Sequence, residues 1–193
     1  MSTPFRLDCR LERLLAVKLF YRLAAREALR RVALPAEFDI VVWEPARDGL
    51  PPSEIRDLAN LVWMIFDRLG IFANRNCGVI MIRHHGKLVH RSLVTPRWLR
   101  FADMAADDLQ IGATWTAPVE RGKGLAAVAV AAVHAHWAGR FGAVWYIVDE
   151  SNPASVTVIE KCGYRLWGKG IRTAPLGFSP LGRFVVIDRF SGD

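Results

Sequence analysis

Hydrophobic and polar positions change their spacing several times along the chain, and each change predicts an element. "FDIVVW", Phe38 to Trp43, is a β-rich run. "PPSEIRDLANLVWMIFDRLG" reads as a helix, with Ser53 as its N-cap and Gly70 as its stop. "GVIMIRHHGKLVHRSLV" is two apolar runs folded about His85-Gly86, a hairpin. "DLQIGATW" predicts a further strand, and the smooth apolar stretch between Gly122 and Gly139 a buried helix. "GAVWYIV" is a continuous apolar run, as expected of a strand covered on both faces. Asn152-Pro153 opens a short helix that stops at Gly163, with proline at its first position and glycine just beyond its end. Two last strands, "YRLWGKGI" and "RFVVIDRF", flank a loop over 172–182. The strand, helix and strand around residues 121–124 form a βαβ unit, so those two strands should be parallel.

The N-terminal segment follows a different rule. Lys18, Arg22, Arg26 and Arg30 recur every fourth residue, beside an apolar stripe of Val17, Tyr21, Ala24, Ala28 and Val32. This predicts a basic amphipathic helix within residues 1–34, appended to a domain over 35–193. Charge sharpens the picture: the chain carries a net +7, and its first 34 residues hold an excess of five basic side chains. Such a helix would rest on anionic lipid or an acidic partner, or dock on its own domain or on a second subunit of an oligomer. No nucleic-acid motif accompanies the charge. The segment has no apolar core of signal-peptide type, and the longest apolar run, Leu125 to Val133, is far short of the roughly 20 residues that span a bilayer. Cys9, Cys77 and Cys162 have no paired spacing and read as reduced thiols, which places the protein in the cytoplasm. A length of 193 residues with 52% hydrophobic content is enough for one domain with a real core.

Chemistry concentrates in "TAPVERGKGLAAVAVAAV", Thr116 to Val133, where a charged Arg-Gly-Lys-Gly turn runs straight into the buried helix. Gly122 and Gly124 let the backbone bend tightly and bring bare N–H groups to a ligand. The helix start adds its positive end, and Arg121 and Lys123 add formal charge, so the turn is a candidate phosphate cradle. A nucleotide-triphosphate loop needs Ser or Thr after the lysine, where Gly124 stands. The dinucleotide fingerprint is also missing.

"RGKGLA", Arg121 to Ala126, fits the R/Q-x-x-G-x-G/A motif of the GNAT superfamily of acyl-CoA-dependent N-acyltransferases, and "NPASVTVIEKCGY", Asn152 to Tyr164, resembles that family's following N-x-x-S/A and E-K-x-G-F/Y segment. The resemblance covers about Phe38 to Phe190. It implies an α/β fold of the α+β kind, with a mixed central sheet of about seven strands. A parallel pair would be splayed around acetyl-CoA, and the N-terminal helix would be an addition to that fold. The coenzyme A pyrophosphate would be held by Arg121, Gly122, Lys123, Gly124 and Ala126. The pantetheine arm would pair with backbone near Thr116 to Val119 like an extra strand. Asn152 and Ser155 would touch the arm from the next helix, Asn152 also serving as N-cap.

The implied reaction is direct attack of an amine on the acetyl thioester, with charge on the carbonyl oxygen stabilised by a strand amide. One proton must leave the amine and one must reach the departing thiolate. The tyrosine that many members of the family use as acid is Ile159 here, which departs from the pattern. Candidate bases are Asp149 and Glu150 at the end of the second parallel strand, Asp108 at the start of the first, and His84, His85 and His90 of the hairpin; of these Glu150, Asp149 and His85 are carried forward as the catalytic candidates. His134 and His136 point to different faces of a helix, so no metal site is implied. Cys162 reads as packed and inert. Among the tryptophans Trp98, Trp115 and Trp167, Trp98 is the best candidate for an acceptor contact. The basic chain favours an anionic acceptor such as an amino sugar linked to nucleotide or lipid, with a protein amine next. The missing acid also admits a degenerate coenzyme A sensor or scaffold.

Overall fold

The computed structural model describes residues 16–27, 29, 36–173 and 182–190. They form one sheet of eight strands in the order β2-β3-β4-β5-β6-β1-β7-β8. The strands are β1 (Lys18–Ala24), β2 (Phe38–Trp43), β3 (Gly78–His84), β4 (Lys87–Pro96), β5 (Leu109–Thr116), β6 (Ala143–Asp149), β7 (Arg165–Arg172) and β8 (Phe184–Arg189). Four helices connect them: α1 (Pro45–Asp48), α2 (Leu58–Arg68), α3 (Leu125–His136) and α4 (Pro153–Lys161). Among the described residues β5 and β6 are the one parallel pair, joined by α3 as the βαβ reading requires. Helix α2 starts later than expected. Its N-cap is Asp57, which accepts from the Asn60 amide at 2.9 Å, while Ser53 opens a single 3₁₀ turn.

The N-terminal helix is a correction. Residues Lys18–Ala24 are a strand inside the sheet, antiparallel to β6 on one side and to β7 on the other. Leu19, Tyr21 and Leu23 join the core beneath α3, and Phe20 is buried on the opposite face. The apolar residues of this stretch therefore face both ways and build no helical stripe. The rest of residues 1–34 lies largely outside the described residues, and most of the segment expected to contact a lipid surface lies there with it. With β1 counted, the sheet has one strand more than expected.

The main core sits between the sheet and α3. That helix is alanine- and valine-rich, which lets it lie close to the strands, with Leu125, Val128, Ala129, Val130 and Val133 buried. On the other face α2 covers Trp43, Val79, Met81 and Leu93, and Phe101 and Met104, from the segment between β4 and β5, cover Phe20 and Trp145.

Candidate active site

The parallel pair β5 and β6 stays in register for only three residues, from Leu109 opposite Val144 to Ile111 opposite Tyr146. Strand β5 runs on to Thr116 and β6 to Asp149 without further pairing to each other. A bulge in β5 accompanies the split. On β4, Arg91 faces Trp115 and Leu93 faces Gly112, so Ser92 alone opposes both Ala113 and Thr114. The extra residue bends β5, and Ala113 takes a left-handed φ of 46°. The result is a V between two strands whose inner main-chain groups lack strand partners, an edge that an extended amide-bearing arm can complete.

The open end of the V leads to the candidate cradle. A 3₁₀ turn, Pro118–Glu120, hands the chain to Arg121–Gly124, and α3 begins at Leu125. Gly122 and Gly124 hold φ of 82° and 78°, values that L side chains rarely adopt. A Cβ at either would meet nothing within 4 Å, so the space before them is open. Helix α3 has no side-chain cap, whereas Asp57 caps α2 and Asn152 caps α4 through the Ser155 amide at 3.2 Å. The first-turn amides of α3, Leu125 to Ala127, therefore keep their donors for a ligand. The cationic side chains are engaged nearby: Arg121 Nε reaches the Thr116 carbonyl at 3.4 Å, and Lys123 Nζ pairs with Glu120 at 2.7 Å. Glu120 also contacts His84 Nδ1 at 3.1 Å. These two hydrogen bonds, Lys123 first, hold the Glu120 carboxyl below the usual carboxylate range.

The proposed proton-transfer residues fall at different distances from the apex of the V. Asp149 is on β6, three residues beyond Tyr146, and is paired with Lys18 of β1. Glu150 follows it and is held by Lys169 at 2.7 Å. His85 is at the β3–β4 hairpin turn, its ring stacked on His84 at 4.3 Å. Because His84 contacts Glu120, this hairpin tip belongs to the cradle end, about 17 Å of strand from the apex. Asp108 is buried, accepting from Trp145 Nε1 at 2.7 Å and from the Ala105 amide at 2.9 Å, so it braces the sheet. His134 bonds the Tyr164 hydroxyl at 2.8 Å and His136 bonds Glu44 at 2.9 Å, both away from the V. Ile159 is fully buried in the main core. Trp98, expected at the acceptor, packs at 5.3 Å on Trp63 and 5.5 Å on Phe66 and is half-buried. Trp167 packs on Trp145 at 4.9 Å, while Trp115 is 41% exposed on β5. Cys77 and Cys162 are buried free thiols, both pushed up by desolvation; Cys9 lies outside the described residues.

Residues 19–165, more than half of the chain, match the family model described as an acetyltransferase (GNAT) domain. The chain belongs to the GNAT acetyltransferase family. Solved GNAT structures share the fold at low identity. A tandem GNAT protein from the clavulanic acid biosynthesis pathway is 15% identical over 81% of this chain and 52% of its own, with a TM-score of 0.56. A GCN5-related N-acetyltransferase from Sphaerobacter thermophilus is 14% identical over 83% of this chain and 53% of its own, with a TM-score of 0.54. One from Kribbella flavida is 16% identical over 79% and 55%, with a TM-score of 0.50. The chain thus spans about half the length of these proteins. No curated protein matches its sequence. Among the described residues no helix of this GNAT chain is long and apolar enough to cross a membrane, and no three His, Cys, Asp or Glu side chains converge as a metal site would need.

Sequence reasoning missed a buried polar feature of the same region. His90 is fully buried, with Nδ1 2.8 Å from Thr116 Oγ1 and Nε2 3.0 Å from Ser92 Oγ. Ser92 Oγ is in turn 3.1 Å from Thr114 Oγ1. The alternation His90, Ser92 on one strand and Thr114, Thr116 on the next was the available signal.

Proposed function

We propose that the protein transfers an acetyl group from acetyl-CoA to a primary amine by direct attack. The observation that carries this reading is the continuity of the V with an uncapped helix start through a two-glycine turn. In it the backbone amides of Gly122 to Ala126 hold the diphosphate, with Arg121 and Lys123 adding charge. The inner edge of β5 up to Thr116 and Val119 aligns the amide-bearing arm. Asn152 and Ser155 flank the arm from α4; Asn152 keeps its side-chain N–H donors after its oxygen has capped the helix. Bound there, acetyl-CoA supplies the activated acetyl thioester. Unpaired N–H groups near the apex donate to the carbonyl oxygen as charge develops on it.

For the amine proton we favour Asp149, the carboxylate on the cleft strand itself, acting through water. It is paired with Lys18, and Glu150, paired with Lys169, is the neighbour that can replace it. No tyrosine stands at Ile159, so the thiolate takes its proton from solvent or from the amine. The net charge of +7 favours an anionic acceptor, such as an amino sugar, over a polyamine. Two buried free thiols fit a reducing, cytoplasmic setting. The same features support a second reading, a coenzyme A sensor without turnover, because Ile159 is a packing residue and both carboxylates are lysine-paired. Thiol release from acetyl-CoA across a panel of amines separates the two. Amine-dependent release with any acceptor establishes the transferase; calorimetric binding without release across the panel leaves the sensor.

A further inference from the structure

The four-residue polar chain beside the bulge calls for a reason. A histidine buried to 0% exposure between two strands carries a desolvation cost that an apolar ring there would not, so packing alone does not call for it. Its contacts are instead arranged around one irregularity. Ser92 is the residue that opposes the two bulged residues, and its hydroxyl bonds Thr114, the second of them. His90 bonds Ser92 on that side and Thr116, two residues further along β5, on the other. The chain thus grips β5 immediately after Ala113, an alanine in a conformation that normally calls for glycine. A regular antiparallel ladder would relieve that strain by sliding β5 one residue on β4. Such a slip would turn Thr114, Trp115 and Thr116 to opposite faces and straighten the strand that bends away from β6.

Resting on the acetyl-CoA reading above, we propose that His90 is a positioning residue: through Ser92, Thr114 and Thr116 it staples the bulge in β5 and so keeps the V open for the acyl-carrying arm. Both ring nitrogens face hydroxyls, which donate or accept as needed, so either neutral tautomer completes the staple. Burial lowers the His90 pKa to about 4, which keeps the ring neutral at physiological pH. No proton transfer is assigned to it.

The test is a cycle between His90→Phe and Ala113→Gly, read by calorimetric titration of acetyl-CoA into the full chain. His90→Phe keeps a ring in the space and removes both bonds; it should weaken binding about tenfold. Ala113→Gly adopts the bulge φ without strain, so alone it should bind no more weakly than the wild type. Added to His90→Phe, it should restore most of the lost affinity. A loss due to packing alone would not be repaired by a glycine on the neighbouring strand, and absence of rescue overturns the proposal. So does wild-type affinity in His90→Phe. If His90→Phe does not fold, Ser92→Ala replaces it in the same cycle with the same expected rescue. If the wild-type chain itself does not bind acetyl-CoA, the functional reading fails and the role of His90 with it; binding without rescue sinks the staple alone.

Discussion

Gly124 is the residue on which the cradle depends most directly. Its φ of 78° and the open space before it mean that any side chain there projects into the opening proposed for the diphosphate rather than into the protein. Gly124→Val should therefore cost about 1–2 kcal/mol of backbone strain, retain a cooperative unfolding transition, and lose acetyl-CoA binding in calorimetry. Arg121→Ala removes one charge-assisted contact and should weaken binding by about 1–3 kcal/mol. His90 and His134 make a separate statement about acid. Burial lowers both to about 4, against an ordinary histidine value of 6.5. Between those values the unfolded chain binds protons that the folded chain refuses, so stability should fall as pH drops from 6.5 toward 4 and level off below. For His90 the loss amounts to about 3 kcal/mol at most. Urea midpoints taken at pH 7 and pH 4.5 should show the fall, and a smaller fall in His134→Gln. The cradle residues were legible in the sequence because glycine, lysine and a helix start leave a local signature. The hydroxyl chain left only an alternation of polar residues on two strands, because its partners are brought together by strand register.

At the level of elements, β1 shows why a charge repeat misleads. Residues four apart share one face of a helix, but they also share one face of a strand, whose side chains alternate with period two. Lys18 and Arg22 obey both rules. The intervening residues decide between them. Leu19, Tyr21 and Leu23 all enter the core beneath α3, which requires period two, and Phe20 is buried behind them. Phe20→Ala distinguishes the two readings in solution. Its ring contacts Phe101 at 5.0 Å and Phe184 at 5.8 Å, so truncation should cost about 3–5 kcal/mol in urea unfolding. A segment appended outside the sheet would leave Phe101 and Phe184 covered without Phe20, and the same truncation would then cost under 1 kcal/mol or so. The strands from β2 to β8 were legible because each is bounded by its own turn chemistry, whereas α1 was not read and the start of α2 was expected at Ser53, not Asp57. The paired glycines of the cradle, the His85-Gly86 turn and the Asn152-Pro153 cap need no distant partner to be recognised.

Across the whole molecule, the sheet cannot be completed without residues 18–24. They join β6, one wall of the V, to β7 and β8. Removing residues 1–24 should therefore abolish cooperative unfolding and acetyl-CoA binding together, as circular dichroism and calorimetry would show, where loss of an appendage would spare both. The same strand order bears on how the chain comes to be folded at all. The contact between Lys18 and Asp149 spans 131 residues, so β1 leaves a ribosome long before the strand that it pairs with. Loop closure over that length precedes any reward, which favours slow folding and a long-lived intermediate with an exposed gap between β6 and β7. During synthesis that gap is an open strand edge, available to another nascent copy of β1 as readily as to its own.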